Sequence, residues 1–108
     1  MGVGVCAGGQ PVLNFLKDMY LDKVFIGVTG VDLGRGITTL ESEEAAVSMA
    51  MIRNAKRVIV VVDSKKMGHI SPALICPLSA IHVLVTDTDL PKNIHEEMVA
   101  RDIEGLLA

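Results

Sequence analysis

The residues best placed to do chemistry are Asp63, Ser64, Lys65 and Lys66, which follow five consecutive β-branched residues, Val58 to Val62, and precede Gly68. A buried strand ending in polar groups delivers them to the edge of a sheet, and ligands of open α/β sheets sit beyond the carboxyl ends of the strands. A lysine ammonium beside the backbone N–H groups of a glycine-containing turn suits an anion such as phosphate. Two other apolar runs end alike, one in Thr29 and Asp32, the other in Thr86 and Asp87. Any α/β sheet has polar strand ends, so one alone reads as a solvated turn. Convergence of three favours a binding site at the carboxyl edge.

Other chemistries find no support. Val58 to Asp63 matches the strand of hydrophobics then Asp seen in P-loop nucleotidases, yet the chain has no G-x-x-x-x-G-K-[ST] loop to hold phosphates. His69, His82 and His95 lack metal-ligand spacing, so no metal or cofactor is expected. No serine sits in G-x-S-x-G and neither Cys6 nor Cys76 has a candidate histidine beside it. The two cysteines form no C-x-x-C pair and read as ordinary reduced thiols.

The elements that must position the polar loop follow from periodicity. Met1 to Gln10 is glycine-rich, with residues 1–9 read as a flexible leader and residues 10–108 as one domain. Pro11 opens a short amphipathic helix ending near Tyr20. Lys23 to Val28 reads as a buried strand, and the following TGVDLGRGITT as turns marked by Gly30, Gly34 and Gly36. Ser42 is placed as the N-cap of a helix to about Asn54, with Glu43 and Glu44 at its positive end. Arg57 to Val62 is the next strand, and its unbroken Val/Ile run predicts a parallel sheet covered by helices on both sides. Gly68 to Leu78, with two prolines, reads as irregular. Ile81 to Val85 is a third strand, a helix starts near Asp89 and Pro91 and stops before Asp102, and Ile103 to Leu107 is a fourth strand.

Composition is consistent with this layout. The 108 residues are 50% hydrophobic, with only three aromatics, which suits an α/β layer structure. Mean hydropathy is +0.46. Net charge is −3 and the ten basic residues are scattered, so these residues are not expected to bind nucleic acid. His69 to Thr86 is uncharged apart from its histidines but is interrupted by Pro72 and Pro77, so no membrane span is expected. The N-terminus lacks the basic region of a signal peptide, which points to the cytoplasm.

Several motifs together resemble a known family. D-K-V-F-I-G-V-T-G-V-D at Asp22 to Asp32, G-I-T-T at Gly36 to Thr39, E-A at Glu44 and Ala45, M-I-R-N-A at Met51 to Ala55, V-V-D-S-K-K-M-G at Val61 to Gly68 and V-T-D at Val85 to Asp87 are similar to the C-terminal effector-sensing domain of DeoR-family bacterial transcriptional regulators. The resemblance covers roughly Gly9 to Ala108. It implies a Rossmann-like fold similar to ribose-5-phosphate isomerase and a site for a phosphorylated sugar or related small anion. Carried over, the binding loop corresponds to Asp63, Ser64, Lys66 and Gly68, the glycine-rich turn to Gly27, Gly30, Asp32, Gly36 and Thr38, and the helix-start acid to Glu44; Asp87 completes the expected site. Lys65 stands where the family often has a small residue, so Lys66 is the expected contact.

Two departures shape the functional expectation. Family members carry an N-terminal winged helix-turn-helix and a further strand and helix before the equivalent of Gly9, so this chain resembles a C-terminal part truncated at its N-terminus, with DNA bound only through the domain it lacks. Exposed strand edges then predict a homo-oligomer. The related isomerases use paired aspartates in the turn matched by Ile26 to Thr29, where this sequence has Ile26 and Thr29. A sensor rather than an enzyme is therefore expected, with a small sugar-phosphate isomerase as the alternative.

Overall fold

The computed structural model describes residues 20–108. The leader and almost all of the helix expected from Pro11 lie outside the described residues. Four strands, β1 (Leu21–Gly27), β4 (Ala55–Val61), β6 (Val83–Thr86) and β7 (Glu104–Leu107), form an all-parallel sheet in the order β1-β4-β6-β7. Between them come helix α1 (Ser42–Arg53) and helix α2 (Lys92–Ala100). The α/β class and the parallel sheet are those expected from the apolar runs.

Strand alternation decides which side chains enter the core. Val24 pairs with Val58, and Ile26 with Val60 and through it Leu84; all five are 4% exposed or less. They form one cluster with Ala45, Val47 and Met51 of α1 and Met98 of α2. The opposite face is less covered among the described residues: Phe25, Val61 and Leu106 are 42%, 44% and 47% exposed. Along β4 only one row of side chains is fully packed at its carboxyl end, and Val61 breaks the buried run.

Two stretches expected to be irregular are strands. TGVDLGRGITT folds into a hairpin of β2 (Gly30–Asp32) and β3 (Gly36–Thr39), and β5 (Ala73–Cys76) pairs with β3 from within the proline-containing segment, giving a small antiparallel sheet ordered β2-β3-β5. Strands of three or four residues show too little alternation to read, and Pro72 and Pro77 flank β5 rather than interrupt it. The turn into β3 needs glycine at Gly36, whose φ is +102° and whose missing Cβ leaves room for the carbonyl of Cys76. Ser42 is not the N-cap. Glu41 takes the extended cap conformation and its carbonyl receives the Ala45 N–H at 3.0 Å, with no side-chain cap.

Candidate functional site

The Asp63–Gly68 loop leaves the carboxyl end of β4 as a single 3-10 turn, Ser64–Lys66. Asp63 caps it, its Oδ1 accepting the Lys65 N–H at 2.9 Å. The remaining backbone donors are also spent within the protein: Ser64 N–H on Asp87 Oδ2 at 2.9 Å, Lys66 on the Asp63 carbonyl at 2.9 Å, Met67 on Ser64 at 3.1 Å, and His69 on Lys66 at 3.2 Å. Gly68 N–H reaches the Val31 carbonyl at 2.6 Å. The expectation that loop N–H groups would cradle an anion is thus corrected. Every donor from Ser64 to His69 is taken, so attraction for an anion falls to exposed side chains, with Lys65 and Lys66 both at the surface.

Gly68 turns the chain back with φ +83°, and nothing lies within 4 Å of where a Cβ would be. Conformation rather than crowding is what requires glycine there. With the parallel bridge between Met67 and Val31, that turn ties the loop to β2.

Asp87 joins the loop from β6. Its Oδ2 receives the Ser64 N–H and its Oδ1 the Asp89 N–H at 2.9 Å. The Ser64 hydroxyl and N–H, and to a lesser degree the Asp89 N–H and the neighbouring Asp63 carboxyl, hold the Asp87 carboxyl down to about 2, with desolvation opposing them. Between Val61–Asp63 and Val85–Asp87, with Ala108 at one side, lies an open crevice of about 280 Å³ at the carboxyl ends of β4 and β6. Gly27 ends β1 in register with Val61, beside the same edge.

The other expected site residues separate from this edge. Asp32 accepts the N–H groups of Gly34 and Arg35 at 3.1 and 2.8 Å, so its carboxylate shapes the β2–β3 turn. Thr38 is fully buried and its hydroxyl accepts the Ser71 N–H at 2.9 Å. Gly36 abuts Cys76, and Gly30 lies against the His69 carbonyl and Thr38. Glu44, half-buried, accepts the Thr39 hydroxyl at 3.3 Å. Asp63, Ser64, Lys66, Gly68 and Asp87 come together; Asp32, Gly36 and Thr38 organise the small sheet beside them.

Two residues outside the expected set stand out. Ser71, 3% exposed, links Thr38 to Thr29, whose Oγ1 lies 2.7 Å from the Ser71 hydroxyl. No local pattern marks a lone serine before Pro72 as buried. Thr86, 4% exposed, lines the crevice, and its hydroxyl has no hydrogen-bond partner among the described residues. The signal for Thr86 was its place at a strand end beside Asp87. Burial also pushes the Cys76 thiol up to about 11.

Known proteins with similar sequences now become informative. A family model described as the DeoR C terminal sensor domain matches residues 6–88. The chain belongs to this family. It is 32% identical over 99 residues to a putative aga operon transcriptional repressor of Escherichia coli O157:H7, covering 92% of the chain and 37% of that protein. The HTH-type transcriptional repressor GlcR of Bacillus subtilis is 34% identical over 99 residues, with 92% and 38% covered. The glycerol-3-phosphate regulon repressor of Escherichia coli K12 is 24% identical over 96 residues, with 89% and 38% covered. The chain thus spans under two-fifths of these relatives. Among the described residues α1 and α2 each lead into a parallel strand, so no two consecutive helices form a helix-turn-helix. No helix among them is long and apolar enough to cross a membrane.

Proposed function

We propose that this chain is the effector-binding domain of a DeoR-family transcriptional regulator, working in the cytoplasm, and that a phosphorylated sugar or related small anion binds at the carboxyl edge of its parallel sheet. The observation that carries the reading is the meeting of Asp63, Ser64 and Asp87 beside an open crevice, with Lys66 in the adjoining turn. Lys66 supplies the charge for phosphate, since the backbone donors are occupied. The relative named as a glycerol-3-phosphate regulon repressor supports a phosphorylated polyol as the ligand class.

The domain acts by binding rather than turnover. Ile26 is buried among apolar side chains and the Thr29 hydroxyl is tied to Ser71, so the turn that carries carboxylates in the resembling isomerases has none to shuttle a proton. Ligand binding at the loop biases its ties to β2 and β6, and DNA is contacted through a separate domain of the longer regulator. A thermal-shift series with glycerol 3-phosphate, glucose 6-phosphate, inorganic phosphate and free glucose tests this. A phosphorylated polyol raises the melting temperature where free glucose does not. Stabilisation by none of them overturns the reading, and ribose 5-phosphate turnover that is lost in Lys66→Met would replace the sensor with an enzyme.

A further inference from the structure

We infer that the uncovered face of the parallel sheet seats the same face of a second copy of this chain, strands antiparallel, so that Lys23 and Arg57 of each copy close the acidic end of the other's crevice. The inference concerns assembly and does not depend on which compound the crevice takes.

Topology makes the face. The order β1-β4-β6-β7 steps in one direction along the chain, and right-handed crossovers then carry their helices over the same side of the sheet. Met51 of α1 and Met98 of α2 accordingly share one cluster with Val24, Val58 and Leu84. Alternation sends the intervening residues to the other side, on levels set by the strand register. Phe25, Ile59 and Val83 form one level, and Gly27, Val61, Val85 and Leu106 the next. Phe25, Val61 and Leu106 are exposed there. The crevice opens on this side, since Val61, Asp63, Val85 and Asp87 among its walls are alternate residues, and Asp63 continues the strand with φ −71° and ψ 137°.

Charge selects the occupant and its orientation. One level beyond Phe25 and Ile59, at the amino end, stand Lys23 and Arg57, in register and both exposed. Arg57 reaches across β6 to Glu104 at 3.2 Å yet keeps 45% of its side chain exposed. Lys23 has no ion pair among the described residues. One level beyond Val61 and Val85, at the carboxyl end, stand Asp63 and Asp87. A face with cations at one end and carboxylates at the other is complementary to itself about a twofold axis that lies in the interface and crosses the strands.

That axis lays each strand antiparallel on its own copy, within the roughly 30° that aligned sheets allow. Set midway between the two apolar levels, it places Ile59 over Val61 of the second copy, Val83 over Val85 and Arg57 over Asp63. Phe25 then lies over Gly27 of the second copy, where nothing stands within 4 Å of an added Cβ and a ring finds room. From Arg57 to Asp63 a strand runs about 20 Å and the four strands span about 14 Å. Such a footprint falls below the roughly 800 Å² per partner of a standard interface, so the dissociation constant is expected on the order of 100 μM.

The test is sedimentation equilibrium of the ligand-free chain under reducing conditions, from a few μM to several hundred μM. Wild type is expected to pass from monomer to dimer. Two charge variants, Lys23→Glu with Arg57→Glu in one chain and Asp63→Lys in another, each put like charges at both ends of the dimer and are expected to dimerise at least tenfold more weakly. Mixed in equal amounts they restore opposite charges at both ends, and a heterodimer as tight as wild type is expected. Asp63 also caps its turn, so melting of each variant is followed alongside, and Phe25→Asp, at an exposed position outside that turn, probes the face by itself. Wild type that stays monomeric overturns the inference and leaves the face to residues 1–19 or to another protein. A dimer indifferent to Phe25→Asp lies elsewhere on the molecule and overturns it too. Two weakened charge variants that fail to rescue each other refute the antiparallel seating. Because no ligand is present, none of these results bears on the phosphosugar reading, which the thermal-shift series tests separately.

Discussion

Two buried threonines should respond in opposite directions to the same substitution. Thr38 is 0% exposed and its hydroxyl accepts the Ser71 N–H at 2.9 Å, while Ser71 itself is 3% exposed. Thr38→Val keeps the shape but leaves that N–H buried without an acceptor, which costs about 1–3 kcal/mol. Thr86 is 4% exposed with a hydroxyl unpartnered among the described residues, so Thr86→Val removes a desolvated group and strands none of their polar groups. Its expected effect lies between zero and a modest gain. At roughly 4 °C per kcal/mol for a domain of this size, Thr38→Val melts about 4–12 °C below wild type and Thr86→Val at or above it. Urea titrations with unchanged slope would show that stability, and not the denatured state, has moved. Equal destabilisation by both substitutions would refute the reasoning, since it would mean that hydroxyl pairing does not distinguish the two sites.

Lys66→Met is expected to weaken phosphosugar binding by about tenfold or more, while Lys65→Met changes it little and mainly through salt-sensitive attraction; equal losses would reduce the turn to a general basic patch. The Asp87 carboxyl is held at about 2 against an ordinary 3.8, so the stability it contributes is present above pH 3.8 and is lost as pH falls toward 2. The difference in urea midpoint between wild type and Asp87→Asn should therefore shrink across that window, and a difference independent of pH would contradict it. Phe25, Val61 and Leu106 are exposed on one sheet face and β1 is an edge strand among the described residues, so the chain is expected to self-associate in sedimentation experiments; monomer alone at high concentration would count against this.

What could be read from the sequence depended on the length of the signal. Val58 to Val62 and Val83 to Val85 are apolar runs that few arrangements can accommodate, and α2 between β6 and β7 lets those two strands run parallel. β2, β3 and β5 were not readable because three or four residues carry no period. Their pairing is decided by what they meet, as when Gly36 closes on Cys76.

The same limit applies at the site. Asp63, Ser64 and Lys66 announced a polar edge, but which of their atoms remain available depended on partners distant in sequence. Asp87 comes 23 positions after Ser64 to take its N–H, and Val31 takes that of Gly68. The loop was therefore legible as a loop and misread as a backbone cradle. Asp32 and Asp87 both end apolar runs, yet one carboxylate closes its own turn and the other fastens a neighbouring loop. A carboxylate's type announces an acceptor, and only the fold assigns the donor. Thr86 follows the same logic with the opposite outcome, because the fold buries its hydroxyl and assigns it no partner among the described residues.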